Sequence, residues 1–186
     1  MGTDLRTAVV ITARIGSKRL KNKVLQKING KPILEHIIDT ARQSSQVDEV
    51  MVATTENSIP IQELCKELRC PWTVGDEEDI LSRIYEAGLF IQADVIVRLW
   101  GDAPLITKKQ IDMAVVAYRH IGNYTTLSSQ FGCVSVVSMD ALAFANKNLT
   151  DLEQRHWIHK TLSKPITVDT KEDLEKVRRI IGKTRY

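Results

Sequence analysis

Arg6, Arg14, Lys18, Arg19, Lys21, Lys23, Lys27 and Lys31 lie between Asp4 and Glu35 with no carboxylate among them. The chain carries 26 Lys and Arg and 23 Asp and Glu; without these eight, 18 cations face 23 acids, so the positive charge is local. The densest part, Arg14 to Lys23, directly follows the apolar run Ala8-Val9-Val10-Ile11, which reads as a buried parallel strand. A cationic loop at a strand's carboxyl end suits a small polyanion such as a nucleoside triphosphate. A nucleic-acid binder spreads its charge along a face or helix, so no nucleic-acid partner is expected. Charge alone leaves a plain solvated lysine-rich loop open as the other reading. Asp102 and Asp169 follow two other apolar runs, and together they could hold a hard divalent cation such as Mg²⁺ through oxygen ligands. Lys23, Arg19 and Arg14 would then neutralise the remaining phosphate charge. Such a set suits in-line displacement at phosphorus, where catalysis is positioning and electrostatic stabilisation and needs no covalent nucleophile. Taken singly, Asp102 could be a turn former in Gly-Asp-x-Pro, and Asp169 a capping residue.

These residues need a scaffold that brings strand ends together. Asn29-Gly30-Lys31-Pro32 is turn chemistry, with Pro32 suited to a first helical turn, and Ile33, Leu34, Ile37, Ile38 and Ala41 follow helical spacing to about Gln43. Strands are predicted at 47–53, 72–74 and 95–99. Helices are predicted from Pro60 to Leu68, after the acidic run Gly75-Asp76-Glu77-Glu78-Asp79, and from Lys109 to about His120. The acidic run works as a helix start, because carboxylates there satisfy free amides, and Arg83 lies one turn further in. Four strand-to-helix alternations predict an α/β fold of three layers, a mostly parallel sheet with helices on both faces. Ligands bind such sheets at the carboxyl ends of the strands. After about Gly122 the pattern becomes a small mixed region: strands at 124–127 and 134–137, antiparallel to the rest, helices at 139–146 and 150–162, a short strand at 166–168 and a closing helix at 172–181.

The length fits one α/β domain over 1–186, and no run approaches the ~18 apolar residues of a membrane span, so no membrane partner is expected. Cys65, Cys70 and Cys133 match neither zinc nor redox spacing and read as buried structural thiols in a reduced, cytoplasmic setting. The Walker and GxGxxG patterns are absent, which argues against a P-loop NTPase or an NAD-binding Rossmann protein. His156 and His159 have no HExxH arrangement and read as surface helix residues.

Four segments together resemble the cytidylyltransferases that activate sugar acids, the CMP-3-deoxy-manno-octulosonate synthetases and their spore-coat polysaccharide relatives. They are Thr12-Ala13-Arg14-Ile15-Gly16-Ser17-Lys18-Arg19-Leu20 continuing to Lys23, Gly75 to Arg83, Gly101-Asp102-Ala103-Pro104-Leu105-Ile106, and Val168 to Leu174. The resemblance implies a nucleotide-diphospho-sugar transferase fold, glycosyltransferase-A-like, with CTP as donor, Mg²⁺ as cofactor, a sugar acid as acceptor, and a CMP-sugar and pyrophosphate as products. It also implies a homodimer. By position, Arg14, Ser17, Arg19 and Lys23 resemble triphosphate contacts, with the Ala13 backbone near the base. Arg83 resembles a nucleotide-pocket residue, Asp102 and Asp169 the metal ligands, and Arg14, Lys23 and Asp102 the groups acting on the reacting phosphate. Lys21-Asn22 stand where the family usually has Pro-Gly, so a less sharp turn is expected before Lys23. Trp100 stands where a polar residue able to read the base is common, which leaves another nucleotide open as donor. The acceptor region after about Gly122 is shorter than in typical members. A second reading, a trimmed nucleotide-binding module acting as a partner or regulatory subunit, therefore also stays open.

Overall fold

The computed structural model describes residues 5–16, 20–122, 124–129, 132–152 and 155. The central strand β1 (Thr7–Thr12) is buried along almost its whole length. It pairs in parallel with β4 (Glu49–Thr55) on one side and β6 (Val95–Trp100) on the other. β4 pairs in parallel with β5 (Trp72–Gly75). Beyond β6 the direction reverses: β8 (Gly132–Ser138) runs antiparallel to β6, and β7 (Tyr124–Ser129) pairs antiparallel with β8, giving the order β5-β4-β1-β6-β8-β7. A separate two-residue hairpin, β2 (Lys27–Ile28) with β3 (Lys31–Pro32), closes through Asn29 and Gly30, both at positive φ. That is the backbone a tight right-twisted hairpin demands and the reason Asn-Gly suits it. Pro32 ends this hairpin and caps the next helix; it does not enter the first helical turn.

Because β-strand side chains alternate between faces, each central strand feeds two cores. Val9, Ile11, Val50, Val52, Val97 and Leu99 point to one face, where α1 (Ile33–Arg42), α2 (Ile59–Glu67) and α4 (Lys108–Ile121) pack. Ala8, Val10, Met51, Ala53 and Ile96 point to the other, covered by α3 (Ile80–Phe90) and α5 (Met139–Asn148). The expected three-layer, mostly parallel α/β architecture is therefore present, and the reversal after Gly122 is real. The expected helix at 150–162 has helical backbone at Leu152 and Arg155; its remainder, the strand at 166–168 and the helix at 172–181 fall partly or wholly outside the described residues. No helix among the described residues is long and apolar enough to cross a membrane.

The cysteines divide. Cys65 and Cys70 are buried, and desolvation pushes their thiols up to about 12 and about 11. Cys133 is half-buried on β8, so it departs from the expectation of three buried thiols. Since the thiolate is the reactive form, a thiol reagent at neutral pH is expected to label Cys133 promptly and Cys65 and Cys70 only on unfolding. Mass-spectrometric mapping of alkylated peptides, native against urea-denatured, checks this; fast labelling of Cys65 in the native protein would contradict it.

Candidate active site

The candidate site is built on the ends of β1 and β6. These strands pair from Thr7↔Val95 to Thr12↔Trp100, and the Gly101 amide continues the ladder by donating to the Thr12 carbonyl at 2.9 Å. A Cβ at residue 101 would lie 2.8 Å from Ala13 Cβ and 3.0 Å from the Thr12 oxygen, so glycine is what lets the two chain exits pass in contact. Ala13 is buried beneath them, its amide donated to the Ala53 carbonyl at 3.2 Å. From this floor the β1 exit carries the basic loop and the β6 exit carries Asp102.

The basic loop is anchored at both ends. At its start the Ile15 amide donates to Ser58 Oγ at 3.2 Å, and Ser58 Oγ lies 2.7 Å from Thr55 Oγ1 at the end of β4. At its far end Lys23–Leu25 forms a single 3₁₀ turn held in the core by Val24. Asn22 precedes it at φ 51° and ψ 38°, the left-handed region that glycine visits freely and asparagine tolerates. The turn before Lys23 is therefore kept, contrary to the less sharp turn expected from Lys21-Asn22. Its outcome is an ion pair between Lys23 Nζ and Asp102 Oδ2, two side chains about one-third exposed.

Arg14 occupies the other side of the crevice. Its Nη1 donates to Glu77 Oε1 at 2.8 Å and approaches Glu78 Oε1 at 3.4 Å, so the basic loop meets the acidic loop ahead of α3. That loop is shaped by Asp76, whose carboxylate accepts from the amides of Glu78 and Asp79, both at 2.8 Å. The Asp79 bond, then the Glu78 bond, hold the Asp76 carboxyl below its ordinary range. Asp79 caps α3 by accepting from the Ser82 amide at 3.0 Å. One turn later Arg83 lies buried under Gly75, where any Cβ would fall 2.7 Å from Arg83 Cγ. Desolvation, then the charges of Arg14 and Arg98, bring its pKa down to about 10, so it stays protonated at neutral pH.

Four of the sequence-derived site residues are thus described in one crevice with Ala13 at its floor: Arg14, Lys23 and Asp102 at its rim and Arg83 behind the acidic loop. Ser17, Arg19 and Asp169 lie outside the described residues. Among the described residues no group of three or more His, Cys, Asp or Glu side chains is placed to hold a metal. Asp102 remains the carboxylate at the β6 end, and one or two carboxylates plus substrate phosphates are the usual Mg²⁺ donor set, so the residues present are compatible with a metal that arrives with a nucleotide.

Arg155 was not anticipated as a positioning group. It is buried, and its Nε and Nη2 donate to Asp79 Oδ2 at 2.9 and 2.6 Å. Its Nη1 donates to the carbonyls of Asn146 and Leu149 at 3.0 and 2.8 Å, and Nη2 to Asn146 Oδ1 at 2.6 Å. One side chain therefore ties the start of α3 to the end of α5.

A mostly parallel α/β sheet that gathers Arg14, Lys23 and Asp102 at the exits of adjacent strands places polar groups where such sheets bind their ligands. The sequence pattern of the cytidylyltransferase family matches residues 8–180, and the chain belongs to that family. It is 40% identical over 155 residues to an uncharacterized protein of Methanocaldococcus jannaschii, spanning 80% of this chain and 63% of that one. It is 34% identical over 111 residues to the 3-deoxy-manno-octulosonate cytidylyltransferase of Pelobacter propionicus, spanning 60% of this chain and 44% of that one. The match therefore covers less than two-thirds of the length of either relative. Among solved structures, a cytidylyltransferase from Leptospira borgpetersenii superimposes with a TM-score of 0.78 at 22% identity, covering 98% of this chain and 89% of the other, which supports the fold.

Substitutions at Gly101 and Asp79 test this arrangement. Gly101→Ala is expected to destabilise the protein by about 1 to 3 kcal/mol through overpacking between the strand exits, measured by urea unfolding; an unchanged midpoint would contradict the close approach. Asp79→Ala removes a cap and leaves the buried Arg155 without its carboxylate, with an expected cost of about 3 to 5 kcal/mol. Asp79→Asn should cost less, because the amide can still cap.

Proposed function

We propose that the protein is a Mg²⁺-assisted cytidylyltransferase that transfers CMP from CTP to a sugar acid of the 3-deoxy-octulosonate or nonulosonate type, for surface polysaccharide synthesis, with release of pyrophosphate. The observation that carries this reading is Lys23 facing Asp102 across the exits of β1 and β6. A phosphate-binding cation and a metal-competent carboxylate neutralise each other there until a metal–triphosphate complex satisfies both. Arg14, held only by exposed acids, adds a second cation for the phosphates at little cost in broken ion pairs. Arg83 completes the nucleotide side from behind the acidic loop, and Ser17, Arg19 and Asp169 are assigned to the same site from the sequence segments that carry them.

The chemistry follows from that charge arrangement. An acceptor hydroxyl oxygen attacks the α-phosphorus and gives up its proton to solvent as the new P–O bond forms, while the bond to the pyrophosphate oxygen breaks and pyrophosphate leaves. Lys23 and Arg14 stabilise the charge that accumulates on the leaving group, which is the role fixed cations perform most effectively. A bound Mg²⁺ would be held by Asp102 and Asp169, and would supply further neutralisation of the phosphate oxygens.

Pyrophosphate release is expected to require CTP, Mg²⁺ and a sugar acid together. Lys23→Ala is expected to lower kcat by about 100- to 1,000-fold, and Asp102→Ala to abolish turnover, in a coupled pyrophosphate assay. CTP at about 100 times its Kd should stabilise the fold by about 2.7 kcal/mol, a rise of roughly 5 to 10 °C in Tm. A Tm rise with another triphosphate and none with CTP would overturn the donor assignment.

A further inference from the structure

Arg98 interrupts the apolar strand Val95-Ile96-Val97-Arg98-Leu99 and has no part in the nucleotide crevice described above. It is 4% exposed, and its Nε has no hydrogen-bond partner among the described residues. Burial lowers its pKa, the expected response of a cation removed from water, and no described carboxylate forms an ion pair with it. Arg83, 3% exposed, is near enough to feel its charge, and likewise leaves Nε and Nη1 unpartnered. Two buried guanidiniums on one side of a sheet, neither in an ion pair with a described carboxylate, make a costly arrangement unless an anion completes it.

The surroundings of Arg98 say which anion. By alternation it shares the α3 face with Ile96, its guanidinium carbon stands 5.1 Å from the centroid of the Trp100 ring, and it pairs with Ser135 across the β6–β8 ladder. Around it on β7 and β8 lies a hydroxyl cluster. Tyr124 Oη donates to Ser135 Oγ at 3.2 Å, Thr126 Oγ1 donates to Tyr124 Oη at 2.7 Å, and Thr126 Oγ1 and Ser135 Oγ are 3.3 Å apart. The phosphate-facing cations Arg14 and Lys23 lie instead on the β1 exit, already matched to Glu77 and Asp102. A guanidinium for an oxyanion beside hydroxyls for a polyol is the donor set that an acidic sugar requires.

We propose that Arg98, with the Tyr124–Thr126–Ser135 hydroxyls, forms the subsite that holds the oxyanion of the acceptor. This rests on the transferase reading for the identity of the ligand as acceptor, but the subsite can be tested without turnover. The full chain, saturated with the non-hydrolysable α,β-methylene analogue of CTP, is titrated calorimetrically with 3-deoxy-manno-octulosonate, with N-acetylneuraminate and with glycerol 3-phosphate. The first two probes present a carboxylate and the third a phosphate, so the arms separate the two sources of oxyanion. At least one is expected to bind, and Arg98→Gln to weaken it about 10- to 100-fold, the loss of a charge-assisted hydrogen bond, with the analogue's Kd unchanged within about twofold. Arg98→Met removes an unpaired buried charge at similar volume, so its ligand-free Tm is expected to rise by a few degrees while oxyanion binding is lost; this shows that the loss is not misfolding. Equal oxyanion affinity in wild type and Arg98→Gln, or no binding of any probe by the wild type, overturns the subsite. A loss confined to the CTP analogue also overturns it and assigns Arg98 to the nucleotide phosphates. Absence of pyrophosphate release by the wild type, with Arg98-dependent oxyanion binding intact, overturns the transferase reading and leaves the subsite standing.

Discussion

The contact between the exits of β1 and β6 is the constraint on which the site depends. Parallel strands in register bring Thr12 and Trp100 level, and the absence of a side chain at Gly101 lets both chains leave the sheet without separating. Everything polar nearby inherits its position from that passage. The Lys23 turn, pinned through Val24 into the α1 face, reaches Asp102 because both are carried from the same point. A parallel sheet serves this purpose better than a hairpin-connected one. Its carboxyl ends are where every strand releases its chain into a crossover, so loops distant in sequence meet there.

Electrostatics divide the cations into two groups with different energetics. Arg14 and Lys23 are partly exposed and paired to acids, so their ion pairs contribute little to stability and yield readily to a stronger polyanion. Arg83 and Arg98 are buried without ion pairs to described carboxylates, and desolvation lowers the pKa of both. A fold selected for stability alone would replace such groups with apolar ones of similar size. The proposed acceptor subsite would offset that cost at Arg98.

The repetition of apolar runs and amphipathic helices made the parallel part of the fold legible in the sequence, because period 2 and period 3.6 patterns report burial directly. The reversal at β7 and β8 was legible as a change of pattern, and its direction is confirmed by the Tyr124↔Val137 to Ser129↔Gly132 register. Arg14, Lys23, Arg83 and Asp102 could be placed by strand ends and by family likeness. The β2–β3 hairpin was visible only as a turn, since two-residue strands carry no periodicity. Asn22 misled because a missing glycine was equated with a missing left-handed turn, whereas asparagine can hold φ 51°. Arg98 did leave a signal: a charge inside Val95-Ile96-Val97-Arg98-Leu99 interrupts a strand that is otherwise apolar on both faces, and such violations collect at functional sites.

Arg155 shows why the far half of the chain matters to a crevice built by the first half. The start of α3 carries Asp76, Glu77 and Glu78 toward the basic loop and Arg83 toward the interior, so its position sets how the two loops oppose each other. A capping aspartate alone ties down one amide of that start. Arg155 binds the same carboxylate twice while satisfying the carbonyls at Asn146 and Leu149, which ordinarily require water or a C-terminal cap. The other end of α5, its start at Met139, follows directly from β8, whose register fixes Ser135 opposite Arg98. One buried guanidinium thus couples the nucleotide side, through Asp79 and α3, to the β7–β8 side that carries the hydroxyl cluster.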